Sequence, residues 1–151
     1  MSQMIVFLED DAATRRHTTE ALSEKGYEIK GFSRIDQAKE YFNDHHSEIA
    51  CVITDLNLAD TWLGKFRKES DGGYLSGWVW LQRFVFTVEP DMQTIIYSGF
   101  VDRLTEYLTE KNQLDLLRRD NIKCVSKGAM EHEGFSQLLS TLEGIINNKK
   151  Q

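Results

Sequence analysis

The sequence predicts an open, doubly wound α/β domain built on a parallel sheet, and three observations carry that prediction. Short β-branched and aromatic runs recur along the 151 residues, helical patterns separate them, and most of the runs stop at a polar or acidic residue. Strands covered on both faces read as continuous apolar runs. Alternating such runs with helices implies parallel strands joined by right-handed crossovers. A chain of this length buries roughly 70% of its unfolded surface, enough for one core, so a single domain over 1–151 is expected.

The elements follow in order. Met4–Leu8 is a buried strand that ends in acids. Ala12–Lys25 is a helix with Ala13, His17, Ala21 and Leu22 on one stripe, and Gly26 stands where a helix commonly turns left-handed. Tyr27–Phe32 is the second strand. Ser33 is placed to cap a helix whose Ile35, Ala38, Tyr41 and Phe42 share a face. Ile49–Thr54, Ile95–Tyr97 and Ile122–Val125 are three further strands, ending at Asp55, Ser98 and Ser126-Lys127. Phe135, Leu138, Leu139, Leu142, Ile145 and Ile146 give the last helix its apolar face. All five strands are read as buried.

Two stretches depart from this rhythm. Gly77–Phe86 fits both a period of 3.6 and a period of 2, and the alternation of strands and helices favours helix, with Leu81, Phe84, Val85 and Val88 as its stripe. Trp78, Trp80, Phe84 and Phe86 then read as core and covered surface. Leu58–Leu75 is polar, carries the turn sequence Asp71-Gly72-Gly73, and is longer than plain connections usually are. Its Trp62, Phe66 and Tyr74 either anchor it on the body or present a partner site. The charges from Arg103 to Asp120 read as the solvated face of a helix.

Composition excludes several classes. The net charge is −6, and no run of Lys or Arg exceeds two residues, which argues against a nucleic-acid or anionic-membrane face. The apolar run at residues 4–8 is too short for a signal peptide or a membrane span. Cys51 and Cys124 both lie in apolar runs and read as buried free thiols of a cytoplasmic protein. His17, His45, His46 and His132 lack metal-ligand spacing with either cysteine.

In doubly wound sheets, ligands sit outside the carboxyl ends of the strands, where the strand order reverses. That rule selects Glu9, Asp10 and Asp11 after the first strand, Asp55 after the third, Ser98 after the fourth and Lys127 after the fifth. Clustered carboxylates repel one another, and a hard divalent cation such as Mg²⁺ with oxygen ligands removes that cost. An Asp carboxylate is also a nucleophile toward phosphorus, and the phosphoryl oxygens then need a metal, a cation and a hydroxyl around them. Asp55, Lys127 and Ser98 supply the nucleophile, the cation and the hydroxyl. No glycine-rich phosphate loop follows the first strand, which disfavours a nucleotide-binding enzyme, and Asn57 removes the second acid of an Asp-x-Asp phosphatase.

Over nearly its full length the chain resembles a response-regulator receiver domain, CheY-like, of two-component signalling. Ile5-Val6-Phe7-Leu8-Glu9-Asp10-Asp11, Val52-Ile53-Thr54-Asp55-Leu56-Asn57-Leu58, Ile95-Ile96-Tyr97-Ser98-Gly99 and Val125-Ser126-Lys127 carry the resemblance. It implies a flavodoxin-like sheet of order 2-1-3-4-5, phosphorylation of Asp55, and Mg²⁺ held by Asp10, Asp55 and the backbone carbonyl of Asn57, with Glu9 acting through water. It implies a sensor histidine kinase or phosphotransfer protein, or a small acyl phosphate, as donor. The chain departs from the family pattern at three positions and in one loop: Glu9 stands where Asp is usual, Gly128 where Pro follows the lysine, Cys124 where an aromatic switch residue sits, and the loop after Asp55, Leu58–Leu75, is expanded. The peptide bond before Gly128 is expected to be trans.

Only residues 147–151 follow the last helix pattern, so no fused output domain is expected. The sequence therefore reads as a stand-alone receiver. It catalyses at most its own phosphorylation and dephosphorylation, and signals through contacts with a downstream protein, not with nucleic acid or membrane. The alternative is a phosphorylation-independent interaction module on the same fold.

Overall fold

The computed structural model describes residues 4–58, 66–128 and 131–149; Trp62 and the side chain of His132 fall outside them. Five parallel strands, β1 (Met4–Leu8), β2 (Glu28–Phe32), β3 (Ile49–Thr54), β4 (Thr94–Ser98) and β5 (Ile122–Ser126), form one sheet of order β2-β1-β3-β4-β5. This is the doubly wound α/β architecture and the strand order read from the sequence. Between them lie α1 (Ala12–Glu24), α2 (Ile35–His45), α3 (Ser76–Trp80) and α4 (Val101–Glu110), and α5 (Glu131–Lys149) follows β5. Among the described residues no helix is long and apolar enough to cross a membrane.

Successive side chains of a strand face opposite sides of the sheet, and the core divides accordingly. Met4, Val6 and Leu8 pack with α2, α3 and α4 through Ile35, Ala38, Phe42, Val79, Leu104 and Leu108. Ile5 and Phe7 pack with α1 and α5 through Leu22, Leu138, Leu142, Ile145 and Ile146. Both faces of the three central strands are covered, so β1, β3 and β4 are buried throughout. The edge strands are not: β2 exposes Glu28, Lys30 and Gly31, and β5 exposes Lys123, Cys124 and Ser126. The expectation that all five strands are buried holds only for strands with a neighbour on each side. Cys51 is buried as expected, but Cys124 is exposed, because it sits on the outermost strand.

Helix α1 turns its Thr18 and Leu22 inward and leaves Ala13 and His17 exposed, so the predicted stripe is rotated. Asp11 caps it by accepting from the Thr14 backbone N–H at 2.8 Å, and Gly26 follows its end at φ +94°, as predicted. The cap position of α2 belongs to Arg34, not Ser33, and makes no side-chain cap bond; Arg34 instead pairs with Asp36 in the first turn. The segment 76–85 is helical, beginning as α3 and continuing as a π-helical turn, Leu81–Val85, in which the Phe86 N–H reaches Leu81 O at 2.9 Å. Trp78, Trp80 and Phe86 are core and Phe84 is half-buried, whereas Val88 is exposed.

After α4 the chain turns at Asn112, φ +56°, into a short 3₁₀ helix, Leu114–Arg118. Residues 66–75 are tied to the body. Phe66 packs edge-on against Phe84 at 6.4 Å. Tyr74 meets the Phe100 ring at 5.9 Å, and Arg103 lies 3.8 Å above the Tyr74 ring while bonding Asp71 at 2.8 Å. Arg103 is therefore an anchor for the long connection, not merely one of the charges on a solvated face. Tyr74 remains 44% exposed, so it both anchors and faces solvent.

Candidate functional site

Strand order reverses between β1 and β3, since the connection from β1 runs outward to β2 and the next returns across β1 to β3. The crevice at their carboxyl ends is thus where doubly wound sheets hold ligands. Glu9 and Asp10 leave β1 there, and Asp55 leaves β3 beside them, its N–H bonded to Leu8 O at 3.0 Å. One oxygen from each of Glu9, Asp10 and Asp55 lies within 4.8 Å of the others. Among the described residues this is the one such group able to hold a metal ion, and the histidines take no part in it. His17 is exposed, His45 pairs with Glu48, and His46 with Glu89.

Lys127 arrives from the end of β5. Its N–H bonds Ser98 O at 3.1 Å, its Nζ donates to Asp55 Oδ2 at 2.7 Å, and it also bonds Glu9 Oε1. The ammonium lies 5.4 Å above the Tyr97 ring. Ser98 is buried next to the lysine backbone, and its hydroxyl accepts from the Phe100 N–H at 3.1 Å. The four strand ends named from the sequence therefore meet in one place. Asp11 does not join them, because its carboxylate is spent on Thr14, which also holds its pKa below the usual range.

The electrostatics follow from burial. Glu9 is 1% exposed and Asp55 8%. Desolvation first, and the Asp55 charge second, push the Glu9 carboxyl up from 4.5 to about 7, with Lys127 opposing both. Burial by itself lowers the Lys127 pKa, but Asp55 and Glu9 outweigh it and hold the ammonium above its ordinary value. Glu9 and Asp55 share the Lys127 ammonium, and Asp10 lies beside them. Hard oxygen donors at this spacing fit a divalent cation that keeps part of its water.

Several residues that shape the site escaped the sequence reading. Ser76 and Gly77, which open α3, hold the chain just beyond Asp55. Gly77 donates to Leu56 O at 2.8 Å, and a Cβ on it would stand 1.9 Å from Asp55 O, so only glycine fits there. The Ser76 hydroxyl bonds the Leu56 and Leu58 backbone. Arg15 reaches back from α1 to Glu9 O at 2.8 Å. A Cβ on Gly134 would press on Tyr97 and on the Lys127–Gly128 backbone at 3.1–3.2 Å. The only sequence signal was a pair of small residues opening an apolar helical run. Asn57, half-buried, lies inside the segment that α3 holds. Among the described residues no peptide bond is cis, in line with the expectation for Gly128.

No family model matches the chain, and no curated protein matches it significantly. Solved structures do. The chain is similar to a response regulator receiver domain protein from Clostridium thermocellum, at 20% identity over 98% of this chain and 97% of that one, with a TM-score of 0.69. A CheY-like receiver domain protein from Methanospirillum hungatei gives 14%, 98%, 99% and 0.63. NtrX from Brucella abortus gives 18% identity and a TM-score of 0.66 over 99% of this chain, which spans 29% of NtrX. Many of the structural neighbours are receiver domains covering nearly the whole chain, so the chain has the receiver-domain fold.

Proposed function

We propose that this chain is a response-regulator receiver that accepts a phosphoryl group on Asp55 in a Mg²⁺-dependent reaction. The observation that carries the reading is the meeting of Glu9, Asp10, Asp55 and Lys127 at the β1–β3 switch point. Asp10, Asp55 and the Asn57 carbonyl would hold the ion, with Glu9 beside them. When bound, Mg²⁺ supplies positive charge against the carboxylates and the phosphoryl oxygens.

An Asp55 carboxylate oxygen forms the new bond to phosphorus as the donor's P–N or P–O bond breaks, and the leaving imidazole or carboxylate takes that electron pair. Lys127, already bonded to Asp55 Oδ2, turns to a phosphoryl oxygen, and the Ser98 hydroxyl donates to another. Burial of Asp55 limits the water that reaches the acyl phosphate. Phosphorylation then changes contacts with a protein target by shifting the population of a surface conformation. The donor is a sensor histidine kinase or phosphotransfer protein of the cytoplasm, and the chain catalyses no reaction beyond gaining and losing its own phosphoryl group.

Intact mass after incubation with acetyl phosphate tests the reading. A phosphoryl adduct that needs Mg²⁺ and disappears in Asp55→Asn is expected. The absence of both an adduct and beryllofluoride binding would overturn it, leaving a phosphorylation-independent interaction module.

A further inference from the structure

We infer that Ser76 is a positioning residue for the metal side of this site, setting the direction of the Asn57 carbonyl across 19 positions of sequence; the inference rests on the receiver reading above. Ser76 is 1% exposed, and its hydroxyl both accepts and donates. Its Oγ accepts from the Leu58 N–H at 3.0 Å and lies 3.1 Å from both Leu56 O and Leu58 O, between which its one proton is shared.

The Leu58 bond matters most. The Asn57 carbonyl and the Leu58 N–H belong to one planar peptide unit, and in a trans peptide they point in opposite directions. Fixing the Leu58 N–H on Ser76 Oγ therefore aims the Asn57 carbonyl away from α3. Gly77 adds a second constraint, because its N–H takes Leu56 O at 2.8 Å and its missing Cβ lets α3 close to the Asp55 backbone. Ser76 and Gly77 thus take the backbone groups on either side of the Asn57 carbonyl and leave that carbonyl to other partners. The consequence is economical: the chain between Leu58 and Ser76 can be long, since the clamp on the Asp55 segment comes from the start of α3.

Groups that orient a metal ligand commonly cost 10–100-fold in affinity when removed. Calorimetric titration of Mg²⁺ into the wild type, Ser76→Ala and Ser76→Thr, at a temperature where circular dichroism shows all three folded, reads the effect. We expect Ser76→Ala to weaken Mg²⁺ about tenfold and Ser76→Thr, which keeps the hydroxyl, to stay close to wild type. Equal affinities for wild type and Ser76→Ala would overturn the inference while sparing the receiver reading, as would equal losses in both variants. A wild type that binds no Mg²⁺ would overturn both. Should Ser76→Ala not fold, the wild-type Leu58 amide carries the test in ¹H–¹⁵N spectra. Slow exchange with solvent and a shift on adding Mg²⁺ are expected, and free exchange or no shift would overturn the assignment.

Discussion

Glu9 makes the metal-free protein less stable as pH rises through neutrality. Its carboxyl titrates near 4.5 when unfolded and at about 7 when folded, so the native state binds the extra proton between those values. Unfolding free energy falls with pH wherever the native state holds more protons. The contribution is thus fully present below about pH 4.5 and lost as pH rises through 7. A rise of about 2.5 pH units at 1.36 kcal/mol each amounts to about 3 kcal/mol. Glu9→Gln removes this charge while keeping an oxygen that accepts from Lys127. In EDTA, urea unfolding at pH 5, 6, 7 and 8 should show wild type declining across the window. The variant should match it near pH 5 and exceed it by about 2–3 kcal/mol at pH 8, after allowing about 1 kcal/mol for a weaker neutral hydrogen bond. Groups that titrate in this range away from the site are common to both proteins, so their difference reports Glu9 together with the Asp55 and Lys127 charges coupled to it. Parallel profiles would refute the argument that burial and Asp55 load this carboxyl.

Three other substitutions probe the frame around the site. Gly77→Ala forces a methyl to within 1.9 Å of Asp55 O and should cost about 3 kcal/mol or more, measured as a lower urea midpoint, because backbone must move. Lys127→Met leaves the buried Glu9 and Asp55 carboxylates without their shared ammonium; a loss of about 3 kcal/mol at pH 8, shrinking toward pH 5, is expected from thermal melts. Arg103→Ala removes the Asp71 bond and the stack on Tyr74, all partly exposed, so global stability should change by about 1 kcal/mol or less, while hydrogen exchange quickens at residues 66–75.

The central strands and the acids that end β1 and β3 were legible in the sequence for one physical reason. A strand covered on both faces must be apolar along its length, and its first polar residue marks where it emerges into the switch-point crevice. Met4–Leu8 with Glu9 and Asp10, and Ile49–Thr54 with Asp55, satisfy that rule locally, so no tertiary knowledge was needed to name them. What the sequence left open depends on neighbours. Cys124 is exposed because β5 is the sheet's edge, a fact about strand order and not about the residues beside it. The stripe of α1 was misplaced because its inward residues, Thr18 and Leu22, are chosen by the sheet beneath them in a helix of weak apolar contrast. Asp11 and Asp10 look alike in sequence, yet Thr14 takes one of them for the helix cap. The Ser76 and Gly77 clamp was invisible because it joins segments 18–21 residues apart and seizes backbone groups of Leu56 and Leu58, which every residue carries alike. Residue type therefore determined which groups gather at the crevice, and tertiary structure decided how each is held, since hydrogen-bond partners across a fold are set by the packing of whole elements.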